Sequence, residues 1–189
     1  MFGKLFITAA MALLATAAET NSTSTDLATQ VTRIADLTRI AYILHRDIVA
    51  VNNDASDRRV TVSALDAIAN QALLAQDLNN SPTAKRAVYT EEEQSQIADA
   101  YAEYMSITSA MLGAAVDKHF AVVSHGAGHT EGAAMNYSMF ATKSWSEAVL
   151  ASIPAQKSAM TVQKAVHDNS YQMTVDLYLK GPSGLTDSA

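Results

Sequence analysis

The chain has 189 residues, of which 49% are hydrophobic and 17% are charged, so it can build the core of one domain and is too apolar for an intrinsically disordered protein. Its 13 basic and 19 acidic residues give a net charge of −6, which argues against the basic surface that binds nucleic acid or an anionic membrane. The absence of cysteine excludes disulfides, cysteine-ligated zinc and thiol nucleophiles.

The first 17 residues have the pattern of a secretory signal peptide. Lys4 precedes a short apolar run at 5–14, and Ala15-Thr16-Ala17 matches an A-x-A cleavage site. This run is shorter than the ~20 apolar residues that span a bilayer, so we expect cleavage and no transmembrane anchor. We expect an extracellular protein, and its predicted segments are a signal peptide at 1–17, a polar Ser/Thr spacer at 18–25, a helical domain at 26–180 and a flexible tail at 181–189.

Three helices are predicted in the first two thirds of the chain. Apolar residues recur every three or four positions from Leu27 to Ile48 and from Val62 to Leu78, which is the spacing of amphipathic helices. The third helix has the clearest start, because Thr90 and Glu93 form a capping box. Its predicted buried face comprises Ile97, Tyr101, Tyr104, Met105, Thr108, Met111, Leu112, Ala115 and Val116.

Two more helices follow a glycine-rich turn. Gly126, Gly128 and Gly132 predict the turn, and Pro154 is predicted to open the fifth helix with Ser152 as its cap. The predicted buried face of the fifth helix comprises Met160, Gln163, Val166, Met173, Leu177 and Tyr178. Since no segment alternates like a strand, the sequence predicts an all-α, antiparallel bundle of about five amphipathic helices without disulfides.

A histidine cluster is the first candidate for chemistry. His119, His125 and His129 lie near Glu131 in the sequence, and imidazoles with a carboxylate can bind zinc or copper. Because the intervening glycines predict a loop, we interpret the cluster as solvated and predict no metal and no cofactor. The sequence has no G-x-S-x-G, S-x-x-K or H-E-x-x-H motif, so we predict that the protein is not an enzyme.

Further candidate sites are sequons and apolar stripes. Three N-x-S/T sequons predict glycosylation at Asn21, Asn79 and Asn136, and Lys85-Arg86 is a hypothetical processing site in the loop before the third helix. The eight methionines either fill the core or line a cavity for an apolar guest. The candidate residues for binding such a guest are Tyr101, Met105, Met111, Met139 and Phe140.

The second half of the chain resembles a known family. Lys118-His119-Phe120, the Gly126 and Gly128 turn, the run from Phe140 to Val149 and Ile153-Pro154-Ala155 resemble the fungal hydrophobic surface-binding protein A and cell-wall galactomannoprotein family. The resemblance covers roughly residues 26–180 in layout. It implies a secreted or wall-associated helical bundle that adsorbs to hydrophobic surfaces, recruits hydrolases to them, or carries a fatty acid in an internal cavity. The histidine-rich loop and the missing wall-anchoring tail depart from the family pattern, which favours a freely secreted member.

We therefore predict a secreted, non-enzymatic protein that adsorbs to a hydrophobic surface or carries a lipid or fatty acid inside a helical bundle, with a secreted hydrolase as a further partner. Amphipathic helices provide a physical route, because they can bury an apolar stripe at an interface. The alternative is a secreted protein-binding inhibitor or effector built on the same bundle. A secreted enzyme is the third hypothesis.

Overall fold

The computed structural model describes residues 21–51, 58–80, 89–124 and 126–180, with side chains described at 27–51, 65–77, 89–124 and 126–180. The helices are α1 (Asn21–Val49), α2 (Arg58–Asn80), α3 (Glu91–Ser124), α4 (Gly128–Ser152) and α5 (Lys157–Lys180). This part of the chain contains no strand, which confirms the predicted all-α bundle. The predicted signal peptide, the Lys85-Arg86 pair and the tail at 181–189 lie outside the described residues.

The helices form a ring in the order α1, α2, α4, α5, α3. One core cluster joins the first halves of α1, α3 and α5 to the last turns of α2 and α4, and a second cluster joins the opposite ends. Successive helices therefore run in opposite directions, and α1, α3 and α5 are parallel to one another. Because protein interiors are close-packed, the wide centre of such a ring has to be filled by large side chains.

Aromatic side chains fill one half of this centre. Trp145, Tyr101 and Tyr104 all have zero exposure. The indole packs edge-on against both phenol rings, at centroid distances of 5.8 Å from Tyr101 and 5.2 Å from Tyr104. Edge-to-face pairs stabilise by about 0.5–1.5 kcal/mol beyond the burial of their area. Gln71 of α2 donates a hydrogen bond of 3.1 Å to the Tyr104 hydroxyl, so a polar contact also joins α2 to α3 across the ring.

The capping box at the start of α3 is confirmed. The backbone N–H of Thr90 donates to Glu93 Oε2 at 2.8 Å, and the N–H of Glu93 donates to Thr90 Oγ1 at 3.3 Å. The buried Gln94 follows, and its Nε2 donates to the carbonyl of Tyr89 at 2.8 Å. Its Oε1 accepts the N–H of Ala155 at 2.9 Å. Gln94 therefore fastens the α4–α5 turn to the start of α3.

The predicted start of the fifth helix is wrong. Residues 154–156 form a turn, and α5 begins at Lys157 rather than at Pro154. Ser152 does not cap this helix, because its Oγ donates to the carbonyl of Val149 at 2.7 Å within α4. The side chain of Gln94 accepts the N–H of Ala155 instead, so a residue 61 positions away satisfies the backbone of this turn.

Two other boundaries differ from the prediction. Helix α1 begins at Asn21, so 21–25 are helical where we predicted a spacer, because no Gly or Pro stands there to stop the helix. The glycine turn is shorter than predicted, since α4 begins at Gly128. Gly126 has a φ of 75°, and a Cβ on Gly128 would lie 2.6 Å from Val123 Cγ2. Both glycines thus allow a tight corner between α3 and α4.

The predicted buried faces hold for most of α3 and fail in part for α5. Every residue predicted on the α3 face is buried except Val116, which is 45% exposed. On α5, Gln163, Val166 and Met173 are exposed, whereas Lys164 and His167 are buried. Hydrophobicity alone thus gave the wrong rotation for α5, because two polar side chains occupy the positions that face the centre.

A pair of glycine variants tests the packing of α4 against α5. A Cβ at Gly132 would lie 2.9 Å from both Tyr178 Cβ and Leu179 Cδ2, whereas one at Gly113 would meet nothing within 4 Å. We expect Gly132→Ala to lower the free energy of unfolding by about 1–2 kcal/mol through overpacking. Gly113→Ala should raise it by about 0.5–1 kcal/mol through helix propensity. Urea unfolding measures both, and equal effects would contradict the close contact at Gly132.

Candidate functional site

The predicted apolar ligand-binding residues do not meet in one place. Tyr101 and Met105 belong to the core cluster around Trp145, whereas Met111 and Met139 belong to the cluster at the opposite end of the bundle. Phe140 lies on the surface and is 60% exposed. Four of these residues therefore pack the interior and the fifth faces solvent. Their contact with an apolar ligand stays a prediction.

The candidate glycosylation sites lie on helices. Asn136 is half-buried within α4 and precedes Tyr137, which is exposed, and Ser138, which is buried. The Oγ of Ser138 accepts a hydrogen bond of 3.0 Å from the Tyr171 hydroxyl. Asn21 starts α1 and Asn79 lies in the last turn of α2, but their side chains are outside the described ones. Glycosylation at all three positions stays a prediction.

A charged cluster of Lys164, His167 and Asp168 lies near the centre of the ring. This cluster was not among the sites predicted from the sequence. His167 of α5 is 3% exposed, and its ring lies 6.0 Å from that of Tyr104 and 5.6 Å from that of Tyr171. Its Nδ1 is 3.5 Å from Asp168 Oδ1, and the Nζ of the buried Lys164 contacts Asp168 Oδ2. Burial alone would raise the pKa of Asp168, but the adjacent His167 and Lys164 keep this pKa below its usual value.

A local signal for this cluster was present in the sequence. Lys164 and Asp168 stand four residues apart, a spacing that usually marks an ion pair on the exposed side of a helix. Tyr171 lies seven residues after Lys164 and therefore shares its face of α5. Because Tyr171 is buried, Lys164 on the same face of α5 is buried as well.

Buried tyrosines complete the interior contacts. The Tyr171 hydroxyl donates to Ser138 Oγ, and the Tyr178 hydroxyl donates to the carbonyl of Ala115 at 2.8 Å. Burial raises the pKa of Tyr171 to about 12, and it also raises the pKa of Tyr178. Both phenols therefore keep their protons at neutral pH and act as hydrogen-bond donors. These contacts tie α5 to α4 and to α3.

The interpretation of residues 125–131 as a solvated loop is wrong for Glu131. This side chain is 1% exposed in the first turn of α4, because the turn before it is short. Burial raises the pKa of the Glu131 carboxyl to about 7. His129 is exposed, and His125 lies outside the described residues. In the described ranges, no group of three or more His, Asp or Glu side chains is placed to hold a metal ion.

A shallow groove lies between α1 and α2, with a volume of about 480 Å³. Most of its wall is aliphatic, and the residues that form it are Arg39, Ile40, Ile43, Ala67, Asn70, Leu73, Leu74 and Asp77. The Arg39 Nε lies 3.9 Å from Asp36 Oδ1, so carboxylates at 36 and 77 balance its charge. The groove therefore offers apolar contact but no net positive charge for an anionic headgroup.

The outer surface carries large apolar side chains, which are the strongest candidates for contact with a partner. Phe120 of α3 is 79% exposed, and Val162 and Val166 of α5 are 67% and 64% exposed. The exposed large hydrophobic residues in the described ranges are Tyr42, Val49, Leu73, Val116, Phe120, Val123, Tyr137, Phe140, Val162, Val166 and Met173. Single exposed apolar residues are normal, whereas groups of them mark interaction surfaces.

Comparison with family models, with characterised proteins and with solved structures gave no match to this chain. Within the described ranges, none of the helices combines the length and the apolar character that a bilayer span needs. The packed interior and the apolar outer surface are therefore the features of this structure that bear on its function.

The buried Glu131 predicts a pH-dependent stability. Its folded pKa of about 7 exceeds the ordinary value of 4.5, so the folded protein retains a proton that the unfolded chain has released. The stability of the protein with a protonated Glu131 is fully present below about pH 4.5, and it is lost as the pH rises through 7 because the buried carboxyl then has to ionise. We expect Glu131→Gln to remove the loss and to be more stable than the wild type at pH 8 by as much as about 3 kcal/mol.

Urea unfolding of both proteins between pH 5 and pH 8 measures this difference. Glu103→Gln, on the exposed side of α3, is the matched control and should change the free energy of unfolding by less than ~0.5 kcal/mol. A wild-type minus Glu131→Gln difference that stays constant over this pH range would contradict the prediction.

Proposed function

We propose that this chain is a secreted, non-enzymatic protein that adsorbs to hydrophobic surfaces. The exposure of large apolar side chains carries the proposal, with Phe120, Val162 and Val166 each more than 60% exposed on two neighbouring helices. Contact with an apolar phase removes this area from water, at about 25 cal/mol for each Å². Adsorption therefore needs no bond-making step and no cofactor.

The packing of the interior supports adsorption over carriage of a lipid inside the bundle. Tyr101, Tyr104 and Trp145 fill the centre with zero exposure and with their rings in mutual contact. A fatty acid bound there would have to displace these rings and separate the hydrogen bond between Gln71 and Tyr104. Contacts on the outer surface require neither change.

The sequence supports the remaining parts of the proposal. The pattern at 1–17 is that of a signal peptide, and the second half of the chain resembles hydrophobic surface-binding proteins and cell-wall galactomannoproteins. Secretion, glycosylation and recruitment of a secreted hydrolase to the coated surface belong to the same proposal. A freely released protein fits a role at a surface outside the cell.

A depletion assay tests the adsorption. The full chain is expressed in a eukaryotic secretion host, and the purified product is mixed with polystyrene beads, a hexadecane emulsion or hydrophilic silica beads. We expect at least tenfold more protein on polystyrene and hexadecane than on silica, because apolar burial drives the binding. Equal binding to all three would contradict the proposal.

Native mass spectrometry of the same preparation tests whether the bundle carries a lipid inside and whether the chain is secreted. We expect a bare polypeptide with or without glycans, and an N-terminus at Ala18 after cleavage of residues 1–17. A co-purifying fatty acid, identified after organic extraction, would assign the apolar ligand to the interior and contradict adsorption as the primary function. Retention of the intact N-terminus inside the host cells would contradict secretion.

A further inference from the structure

We infer that the side of the bundle formed by α3 and α5 is the face that contacts the hydrophobic phase, an inference that rests on the proposed function. The two helices are neighbours in the ring. Together they carry six exposed large hydrophobic side chains, which we call the apolar strip: Val116, Phe120, Val123, Val162, Val166 and Met173.

The part of the strip on α5 lies on the flank toward α3. At Gly132 of α4, an added Cβ would touch Leu179, so Leu179 marks the flank of α5 toward α4. With 100° per residue, Val162, Val166 and Met173 lie about 100–140° around the helix axis from Leu179. Because α5 packs between α4 and α3, these three side chains lie on the opposite flank, next to α3.

The part of the strip on α3 lies on the flank toward α5. The ring of His119 packs edge-on against that of Tyr178, with a centroid distance of 4.9 Å, so His119 marks this flank. Val116 and Val123 lie within about 60° of His119 around the axis, and Phe120 lies about 100° away. The two sets of side chains therefore border the same seam between α3 and α5.

The register of the two helices places the two parts of the strip one after the other along the seam. Tyr178 donates to the carbonyl of Ala115, 63 residues earlier, and the neighbouring rings of His167 and Tyr104 have the same offset. Met173 is therefore level with Ala110 of α3. By the same offset, Val162 and Val166 are level with Asp99 and Glu103, which are exposed. Around the level of Met173 the exposed α3 positions are small, namely Ser106, Ala110 and Gly113. At 1.5 Å per residue the strip runs about 30 Å, from Val162 to Phe120.

The charges around the strip favour an uncharged apolar surface over an anionic one as its occupant. The exposed positions of α3 up to Glu103 include four carboxylates, whereas those from Ser106 to Ser124 include one, Asp117. The exposed positions of α5 include no carboxylate, and their cations, Lys157 and Lys180, stand at the ends of the helix. Adsorption to an anionic membrane needs a basic polar face, which α3 and α5 lack.

Two triple variants with matched chemistry test the inference. The strip variant is Phe120→Ser, Val166→Ser and Met173→Ser, and the control variant is Tyr42→Ser, Val49→Ser and Phe140→Ser on α1 and α4. All six wild-type side chains are 49–79% exposed, so both variants should keep the wild-type unfolding midpoint in urea. We expect the strip variant to bind hexadecane droplets and polystyrene at least tenfold more weakly, and the control variant to bind within about twofold of the wild type.

The outcomes separate the inference from the proposed function. Equal losses of binding in both variants would overturn the strip as the contact face, while adsorption of the wild type would still support the proposed function. A wild type that does not adsorb would overturn both the inference and the proposed function. Two results would overturn the apolar surface as the occupant: tighter binding to phosphatidylglycerol vesicles than to hexadecane, or a dimer in light scattering that the strip variant abolishes.

As a second readout, hydrogen peroxide should oxidise Met173 more slowly on adsorbed protein, and an unchanged rate would count against the inference.

Discussion

Filling the centre of a ring of five helices is the constraint on which the rest of this structure depends. The centre of such a ring is wide, and close packing requires side chains that reach across it. Trp145, Tyr101, Tyr104 and Tyr171 do so with almost no exposure. Three of these residues carry a phenol hydroxyl into the interior, so the centre must also supply polar partners. Gln71 donates to the Tyr104 hydroxyl from the facing helix, and Ser138 Oγ accepts from the Tyr171 hydroxyl.

The charged cluster and the α5 part of the apolar strip both follow from the rotation of α5 about its own axis. Tyr171 and Tyr178 of α5 point inward, where their hydroxyls donate to α4 and α3. Lys164 lies seven residues before Tyr171 and shares its face, so it is buried beside Asp168. The same rotation leaves Val166 on the outside. Helix α5 has apolar residues on two sides and buries one side. The contacts of Tyr171 and Tyr178 fix which side is buried.

The structure has no disulfide to hold the ring closed, since the sequence contains no cysteine. Contacts between distant parts of the chain take this role. Gln94 binds the backbone at Ala155, 61 residues away, and Tyr178 binds that at Ala115, 63 residues away. The close approach of α5 to Gly132 brings α4 into the same end of the bundle. Packing therefore holds the ring closed, and each of these hydrogen bonds adds about 0.5–1.5 kcal/mol.

The sequence by itself determined the helices, because the signals that form them are local. The periodicity of α3 predicted its buried face from Ile97 to Ala115, and Thr90 with Glu93 predicted where the helix begins. Residues within a few positions of one another supply both signals. The candidate surface could not be predicted from the sequence, since Val116, Val166 and Met173 were expected on buried helix faces and are exposed. Phe140, the one exposed residue among the predicted apolar contacts, lies outside the strip.

The tertiary structure alone decided the rotation of α5, the burial of Glu131 and the turn at Pro154. Each depends on a partner from a distant part of the chain: Ala115 for Tyr178, α5 for the start of α4, and Gln94 for Ala155. No pattern within one helix encodes which of two possible faces a neighbouring helix will cover. Packing decides this, because the large side chains fit the ring in one arrangement and the remaining apolar residues are left to face the solvent.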